Sequence, residues 1–370
     1  MKVLHTCLSS SWVGLEMYSL QTVEQLNNNG IKSDLLCFQN SRLYYEALNK
    51  KIRVHASAFK NYFHPAIVFK TSGLLKKNNF DLIHCYVSKD LWLIVPSLRL
   101  AGLKTPLIFT KHMGSYIIKK DFLHRWIYSR VNIATVISSV IAKNLAETTP
   151  LIKEKILLLH NGIDTNFFDP STVDHNLVRE EFKISEGEIL IGMMARFSPG
   201  KGHEEFIYSA KELIKKYDNL RFMIIGEPSK GEDKYAAEIK TLASELDVID
   251  RLIFTGFRKD APEVLSALDI FVFPSHAEAF GLALVEAMSM GKPSVCSNSD
   301  GVLDIAVNNV TSFLFEKKDQ MDLAKKIELL IVNEKLRNEF GKAARKHAVE
   351  MFDLSLFTKK LIGIYKNINQ

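Results

Sequence analysis

The sequence alternates short apolar runs with longer amphipathic stretches. In the first half the apolar runs have the length of buried strands, and the stretches between them show the 3.6-residue period of helices. Helical patterns include Leu15 to Asn29, Ala66 to Lys77 and Ser138 to Glu147. The strand candidates are Lys2 to Leu8, Ser33 to Phe38, Arg53 to Ala56, Asp81 to Tyr86, Leu107 to Thr110, Ile133 to Ile137 and Ile156 to His160. This βαβα order predicts a parallel, doubly wound sheet.

A second series of the same kind follows and predicts a second sheet of the same class. Its strand candidates begin near Ile189 and continue at Arg221 to Gly226, Leu252 to Phe257, Ile270 to Pro274 and Ser294 to Ser297. Turn-forming residues interrupt the pattern between the two series. We therefore predict an N-terminal domain over 1–170, a C-terminal domain over 171–351, and a final helix over 352–370 that crosses back to the N-terminal domain. On that helix, Leu356, Leu361 and Ile364 form the predicted apolar side.

The stretch SHAEAFGLALVEAMSMG, residues 275–291, carries the most chemical information because it follows a predicted strand and leads into a helix. Its two carboxylates, Glu278 and Glu286, lie in the loop and about one turn inside the helix, and carboxylates accept hydrogen bonds from sugar hydroxyls. Backbone N–H groups at the helix start, from Phe280 to Leu282, suit a phosphate. Sugar, phosphate and sugar in that order are the parts of a nucleotide diphosphate sugar.

The same stretch resembles the signature of the retaining glycosyltransferases of family 4. Further landmarks of that family follow in order along nearly the whole chain: a glycine at Gly14, a histidine at His112, HNGIDTNFF at 160–168, ARFSPGKG at 195–202, IIGE at 224–227 and FTGF at 254–257. The resemblance implies the GT-B fold, in which two Rossmann-like doubly wound domains face a central cleft. The N-terminal domain then binds the acceptor and the C-terminal domain the nucleotide sugar.

The resemblance also implies roles for individual residues. Arg196 and Lys201 bind the donor diphosphate, Glu286 binds the ribose, Glu278 contacts the transferred sugar, and His112 lies beside the reacting sugar. The remaining expected substrate-binding residues are Gly14, Gly226, Phe257, Ala279, Phe280, Gly281 and Leu282. The chain departs from the family pattern at two places, since Val13-Gly14 replaces a Gly-Gly pair and Leu303-Asp304 replaces Pro-Glu.

The implied activity is the transfer of a sugar, with retention of configuration, from a nucleotide diphosphate sugar to a lipid-linked or cell-surface glycan acceptor such as a lipopolysaccharide or capsule precursor. UDP is expected in preference to GDP because it is the more common donor nucleotide. No Asp-x-Asp motif for a donor-site metal is apparent, so we expect neither a metal nor another cofactor. Two alternatives remain open: a nucleotide-sugar epimerase or hydrolase of the same fold, and a non-catalytic sugar-binding protein. The absence of GxGxxG and of Gly-Lys-Ser/Thr counts against a nicotinamide oxidoreductase and a P-loop enzyme.

Composition and charge add an expectation about location. No apolar run has the length of a membrane span, and the N-terminus lacks the order of a signal peptide, so we expect a cytoplasmic protein with reduced cysteines. Residues 1–170 hold 21 Lys and Arg against 11 Asp and Glu, a balance of +10, whereas the remainder carries −4. Nucleic-acid motifs are not found, so an anionic membrane surface or an acidic acceptor is favoured over nucleic acid. Basic and aromatic residues mixed over 59–77 and 117–122 predict contact with the inner face of the cell membrane.

Overall fold

The computed structural model describes residues 1–57, 65–229 and 231–368. The chain divides into two units, which are Met1–His160 with Phe357–Gln370, and Asn161–Leu356. The prediction of two Rossmann-like doubly wound domains is confirmed.

The first unit contains a seven-stranded parallel sheet in the order β3-β2-β1-β4-β5-β6-β7. Its strands are β1 Lys2–Cys7, β2 Lys32–Phe38, β3 Val54–Ser57, β4 Leu82–Cys85, β5 Leu107–Lys111, β6 Ile133–Val136 and β7 Ile156–Leu158. Its helices are α1 Gly14–Asn28, α2 Arg42–Asn49, α3 Pro65–Asn78, α4 Leu91–Ala101, α5 Phe122–Tyr128 and α6 Ser139–Thr148. Strand order reverses between β1 and β4, which is the place where sheets of this class bind ligands, beyond the carboxyl ends of the strands.

The second unit contains a six-stranded parallel sheet in the order β10-β9-β8-β11-β12-β13. Its strands are β8 Ile189–Met194, β9 Leu220–Ile225, β10 Leu252–Gly256, β11 Ile270–Phe273, β12 Ser294–Ser297 and β13 Ser312–Phe315. Its helices are α7 Asn176–Glu181, α8 His203–Ile214, α9 Asp233–Glu245, α10 Ala261–Ala267, α11 Leu282–Ser289, α12 Gln320–Ile331 and α13 Glu334–Phe352. Strand order reverses between β8 and β11. The loops after these two strands therefore occupy the position expected for ligand binding.

The segment 161–170 belongs to the second unit, so the units separate ten residues before the predicted boundary. The physical reason is Arg345 on α13. Its guanidinium donates to the carbonyl oxygens of Thr165, at 2.9 Å, and Phe168, at 2.7 Å, and pairs with Asp169 at 3.0 Å. Turn formers alone do not reveal such a long-range anchor.

The last helix, α14 Leu354–Ile368, begins in the second unit and places its residues from Phe357 onward in the first. Its buried residues recur at helical spacing and are Leu354, Phe357, Thr358, Leu361 and Tyr365. The predicted apolar side was correct for Leu361 but wrong for Leu356 and Ile364, which are only partly buried. The aromatic residues Phe357 and Tyr365 decide which side of this helix faces the core, because they contribute the largest apolar area.

Candidate functional site

Two loops of the second unit, 195–202 after β8 and 275–281 after β11, are locked together at the point where strand order reverses. The His276 N–H donates to the Gly200 carbonyl oxygen at 2.8 Å. Gly202 has a φ of +82°, and a Cβ there would lie 2.4 Å from the Pro274 carbonyl oxygen. Only glycine accommodates both this backbone conformation and this close approach. The sequence ARFSPGKG therefore folds as a turn that presses against the end of β11.

The locked loops bring opposite charges together. Lys201 Nζ and Glu278 Oε1 form an ion pair, and both side chains are mostly buried. Arg196 lies on the same loop as Lys201 and donates to Ser229 Oγ at 2.5 Å. Arg196, Lys201 and Glu278 therefore lie on two loops at the same end of the sheet, with Lys201 and Glu278 in contact. Arg196 and Lys201 supply two cations that suit an anionic ligand, and the neighbouring carboxylates are Glu278 and Glu232, which accepts from Ser198 Oγ at 2.6 Å on the same loop.

Glu286 lies on α11, one turn into the helix that begins immediately after the 275–281 loop. Its carboxylate makes no hydrogen bond or ion pair with any residue that the structure describes. Burial raises its pKa to about 7. The residue is partly buried, and a carboxylate that loses part of its water without gaining a partner is costly. Such groups are characteristic of functional sites.

The residues between the two glutamates divide into packing and backbone roles. Phe280 is only 2% exposed and packs edge-on against Phe352, with ring centroids 5.7 Å apart. The Phe280 side chain is thus part of the core, and the predicted phosphate contact of this residue concerns only its backbone N–H. Gly281, with a φ of +119°, caps α11, and Leu282 begins that helix. Ala279 is partly buried in the loop.

Gly226 and Phe257 follow the neighbouring strands β9 and β10. Gly226 has a φ of +145°, and a Cβ there would lie 2.1 Å from the Ala195 carbonyl oxygen, so this glycine lets the loops after β8 and β9 cross. Its presence has a complete structural explanation. Phe257 is different because its ring is 63% exposed, which leaves an aromatic face open to solvent at the carboxyl end of the sheet.

Two further residues contribute to this region: Gly301, which the sequence places in a neighbouring loop without indicating its contacts, and Glu205, which sequence reasoning missed. Gly301 follows β12, and a Cβ there would lie 2.6 Å from the Ala279 carbonyl oxygen, while its N–H donates to the Glu278 carbonyl oxygen at 3.0 Å. Glu205 on α8 bonds His276 Nε2 at 2.8 Å. Neither has a motif of its own. Only the approach of distant segments shows that both support the loop carrying Glu278.

In the first unit, Gly14 begins α1 after the loop that follows β1. A Cβ on Gly14 would have no atom within 4 Å, and its φ is not positive, so the fold does not require glycine there. The residue before it, Val13, is half exposed. Open space at the start of a 15-residue helix leaves room for a ligand to approach the backbone.

His112 follows β5 and is 7% exposed, so its ring is nearly enclosed by the first unit. The Tyr18 ring meets it edge-on at 4.5 Å between centroids. His112 Nε2 is buried and has no hydrogen-bond partner in the part of the chain that the structure describes. Burial, followed by the charge of Lys111, lowers the pKa of His112 to about 3. The imidazole is therefore neutral at physiological pH and holds an unused donor or acceptor.

The residues that the structure describes, 1–57, 65–229 and 231–368, contain neither a metal-site cluster nor a membrane-spanning helix. No group of three or more His, Cys, Asp or Glu side chains there has the arrangement of a metal site. No helix there is both long enough and apolar enough to cross a membrane.

Comparison with solved structures defines the class of the fold. A glycosyltransferase from Rickettsia africae superimposes with a TM-score of 0.90 at 21% identity, covering 99% of this chain and 98% of that one. The Anabaena protein HepE, solved in complex with UDP and glucose, gives a TM-score of 0.82 at 21% identity, covering 99% of each chain. The fold is that of the GT-B glycosyltransferases.

Sequence comparison defines the family. Residues 12–167 match the family model described as Glycosyltransferase Family 4, and residues 174–347 match the one described as Glycosyl transferases group 1. Together the two matches cover most of the chain and both units, so the chain belongs to the family 4 glycosyltransferases.

Two curated relatives align with most of the chain. The Escherichia coli UDP-Gal:alpha-D-GlcNAc-diphosphoundecaprenol alpha-1,3-galactosyltransferase is 26% identical, and the alignment covers 98% of this chain and 96% of that protein. The Campylobacter jejuni N,N'-diacetylbacillosaminyl-diphospho-undecaprenol alpha-1,3-N-acetylgalactosaminyltransferase is also 26% identical, with 84% and 81% covered.

Proposed function

We propose that this glycosyltransferase moves a sugar from a UDP-sugar to a lipid-linked or polysaccharide-precursor acceptor, with retention of configuration and without a metal ion. The observation that carries the proposal is the grouping of Arg196, Lys201 and Glu278 where strand order reverses in the second unit. The names of the two relatives support a lipid diphosphate acceptor, and the E. coli name also supports a UDP donor.

Each part of the donor then has a partner in the second unit. Arg196 and Lys201 bind the diphosphate, and the two ribose hydroxyls donate to the free carboxylate of Glu286. Glu278 contacts the transferred sugar. The exposed ring of Phe257 offers a stacking surface for the base. The backbone around Gly281 and Leu282 contributes the positive end of the α11 dipole.

The charges favour a front-face, internal-return mechanism over double displacement. A carboxylate nucleophile needs to be free, whereas Glu278 is paired with Lys201, and this pairing weakens its nucleophilicity. In internal return the leaving phosphate accepts the proton of the acceptor hydroxyl as the new bond forms on the same face of the sugar. Arg196 and Lys201 stabilise the charge on that phosphate, a task that a metal ion performs in other enzymes. The neutral imidazole of His112 is available to hydrogen-bond a sugar or acceptor hydroxyl.

A product assay tests this proposal. Purified protein is incubated with individual UDP-sugars and undecaprenyl-diphosphate-linked sugars, and the anomeric configuration of the product is read by NMR. We expect an α-linked product from an α-linked donor. Release of free UDP without acceptor would instead indicate a hydrolase, interconversion of UDP-sugars an epimerase, and donor binding without turnover a sugar-binding protein.

We also propose that the first unit contacts an anionic bilayer through the segment 113–123. Six large apolar residues of this segment are all more than half exposed: Met113, Tyr116, Ile117, Ile118, Phe122 and Leu123. Lys89, Lys111, Lys119 and Lys120 form no ion pair in the described part of the chain. Burial, and after it the charge of Lys119, lowers the pKa of Lys111 to about 8, and burial, and after it the charge of Lys89, lowers the pKa of Lys119. Lys89, Lys111 and Lys119 therefore lie close enough to interact, and Lys120 follows Lys119 in the chain.

The other predicted membrane-facing set is weaker. Ile67 on α3 is buried, whereas Phe69, Lys70, Lys76 and Lys77 are exposed. Phe59, Lys60, Tyr62 and Phe63 lie outside the described residues. Helix α3 therefore buries part of its apolar face in the core. Among the described residues of the two sets, the segment 113–123 exposes the larger apolar area.

Cosedimentation with vesicles of phosphatidylglycerol and phosphatidylcholine tests the membrane proposal. We expect binding that falls with added salt and is lost when Ile117→Ser and Ile118→Ser are combined. The control pair Leu329→Ser and Val332→Ser removes exposed apolar residues from the second unit and should leave binding unchanged. No binding to anionic vesicles at low ionic strength would make a water-soluble acceptor the better interpretation.

A further inference from the structure

A row of buried polar side chains crosses four adjacent strands of the first unit. His5 on β1 lies beside His84 on β4, and Thr110 on β5 lies beside Thr135 on β6. Strands buried on both faces of a parallel sheet normally carry Val, Ile and Leu at such positions. Buried polar groups cost free energy unless they are hydrogen-bonded. A polar row in this place therefore calls for an explanation by its contacts.

The row is connected by hydrogen bonds to the C-terminal helix. His84 Nε2 bonds Thr110 Oγ1 at 2.6 Å, and Thr110 Oγ1 bonds Thr135 Oγ1 at 2.5 Å. His84 Nδ1 bonds the Tyr365 hydroxyl at 2.5 Å. Burial strongly lowers the pKa of His84, so its ring is neutral, with one nitrogen donating and the other accepting. The Tyr365 hydroxyl thus completes the hydrogen bonds of the buried His84 ring, which has Thr110 as its other partner.

Thr110 and His112 lie two residues apart at the end of β5. Side chains two residues apart in a strand project to the same face. The hydrogen bonds of the polar row hold Thr110 in place, and they therefore also hold the backbone that leads from β5 to His112. His112 itself makes no side-chain hydrogen bond in the described part of the chain. The orientation of its ring is therefore set by the path of the backbone and by the rings packed against it.

A second contact leads from the same helix to His112 through packing alone. The Phe357 ring meets the Tyr18 ring edge-on at 5.5 Å, and the Tyr18 ring meets the His112 ring edge-on at 4.5 Å. Tyr18 is on α1 and all three rings are buried. The final segment of the chain therefore contacts the surroundings of His112 in two ways, by hydrogen bonds that end at Thr110 and Thr135 and by aromatic packing that reaches the His112 ring.

We infer that the C-terminal segment 357–368 positions His112, with Tyr365 and Phe357 as the positioning residues. This inference rests on the proposed role of His112. Neither residue needs to touch the substrate. Packing alone does not require a hydroxyl at position 365, because a Phe ring would bury the same apolar area without a polar atom. The hydroxyl is explained by the need to complete the hydrogen bonds of His84.

The variant Tyr365→Phe tests the hydrogen bonds with the smallest possible change. The matched control is Tyr128→Phe, because Tyr128 is a buried tyrosine of the same unit that packs against Phe109 of β5, with ring centroids 6.4 Å apart. The readouts are the thermal midpoint, the dissociation constant for UDP, kcat, and the imidazole NMR signal of His112, assigned with His112→Asn.

For Tyr365→Phe we expect a shifted His112 signal and a fall in kcat of about tenfold, the equivalent of one hydrogen bond. UDP affinity should stay unchanged because the proposed donor residues lie in the second unit. Tyr128→Phe should alter neither the signal nor kcat. Phe357→Leu tests the aromatic packing and should also shift the signal.

The inference is overturned if the His112 signal has the same position in Tyr365→Phe as in Tyr128→Phe. If Tyr365→Phe does not fold, Phe357→Leu takes its place, and an unshifted His112 signal in folded Phe357→Leu overturns the inference. The NMR readout needs no turnover. An inactive protein in which the signal still moves would therefore contradict the proposed reaction but not the positioning of His112.

Discussion

Lys201 on the loop after β8 forms an ion pair with Glu278 on the loop after β11, across the point where the strand order of the second unit reverses. The pair joins two motifs that lie 77 residues apart in sequence. It also neutralises the carboxylate that the family resemblance places beside the transferred sugar. Several expected behaviours of the protein depend on this arrangement and on the unpaired Glu286.

Removing either donor-site cation should reduce turnover. Arg196→Ala and Lys201→Ala each lose a charge-assisted contact worth about 1.5–3 kcal/mol, so kcat/KM should fall by about 10- to 150-fold with any accepted donor. The matched control is Lys215→Ala, which removes a lysine paired with Glu212 at 2.6 Å in the same unit. Wild-type turnover in both loop variants would remove these residues from the site.

The affinity for UDP should depend on pH through Glu286. Its pKa of about 7 means that the carboxylate is mostly protonated at pH 6 and mostly ionised at pH 8. Because the ionised form is the one proposed to accept hydrogen bonds from both ribose hydroxyls, UDP should bind up to about tenfold more tightly at pH 8. Calorimetry at the two pH values measures this. In Glu286→Gln the part of the pH dependence of UDP affinity that comes from Glu286 should disappear. A pH dependence identical to that of the wild type would argue against the binding of ribose by Glu286.

The two glutamates should differ in which ligand they affect. Glu286→Ala should weaken binding of UDP and of the UDP-sugar alike, because both contain the ribose. Glu278→Ala should weaken only the UDP-sugar. Titration calorimetry with the two ligands gives the comparison, and the reverse order of effects would refute the proposed positions of sugar and ribose.

Transferase activity should survive removal of divalent metals. In the proposed function Arg196 and Lys201 supply the positive charge at the diphosphate, so treatment with excess EDTA should change kcat less than twofold, an effect of about 0.4 kcal/mol. A loss of activity that manganese restores would show that a metal shares this task.

The first unit should lose stability in acid. Burial holds the pKa of His5 and of His112 at about 3 and that of His84 far below its usual value. These groups bind protons only on unfolding, so their contribution is complete above pH 6.5 and is lost as the pH falls toward 3. Asp90 acts in the opposite sense, because burial raises its pKa to about 7 and protonation relieves that cost.

The three histidines lower the free energy of unfolding as the pH falls, and the one carboxyl raises it. Together they make the free energy of unfolding fall by up to about 2.7 kcal/mol per pH unit below pH 6.5. Urea unfolding at pH 7.5, 6 and 5 measures this slope. His112→Asn should reduce the slope by about 1.4 kcal/mol per pH unit. His175→Gln, at an exposed position, should leave it unchanged. A slope unaffected by His112→Asn would mean that this imidazole is not held neutral.

Gly226→Ala should destabilise the second unit more than Gly187→Ala does. Both glycines have a positive φ, but only at position 226 would the added Cβ collide with backbone, 2.1 Å from the Ala195 carbonyl oxygen. The strain of the backbone alone is about 1–2 kcal/mol, and the collision adds to it. Thermal unfolding of the two variants separates these effects, and equal midpoints would contradict the crossing of the two loops.

The sequence by itself determined the class of the fold and the order of its elements. Strand periods and apolar runs are local properties, so β12 was predicted with its observed bounds, Ser294–Ser297. The edge strand β13, Ser312–Phe315, was not predicted, and what identifies it is its pairing with β12, a contact between segments that no local period shows. The family motifs likewise indicated Arg196, Lys201, Glu278 and Glu286 without any coordinates.

Only the tertiary structure decided what depends on contacts between distant segments. In the structure, Phe280 packs in the core and Glu278 forms an ion pair with Lys201. Residues 161–170 belong to the second unit because Arg345 binds them. The structure also shows that Gly226 serves the crossing of two loops, and that Tyr365 bonds a histidine 281 residues away. Burial, ion pairing and steric clearance are set by neighbours in space. A residue's type and local period do not specify those neighbours.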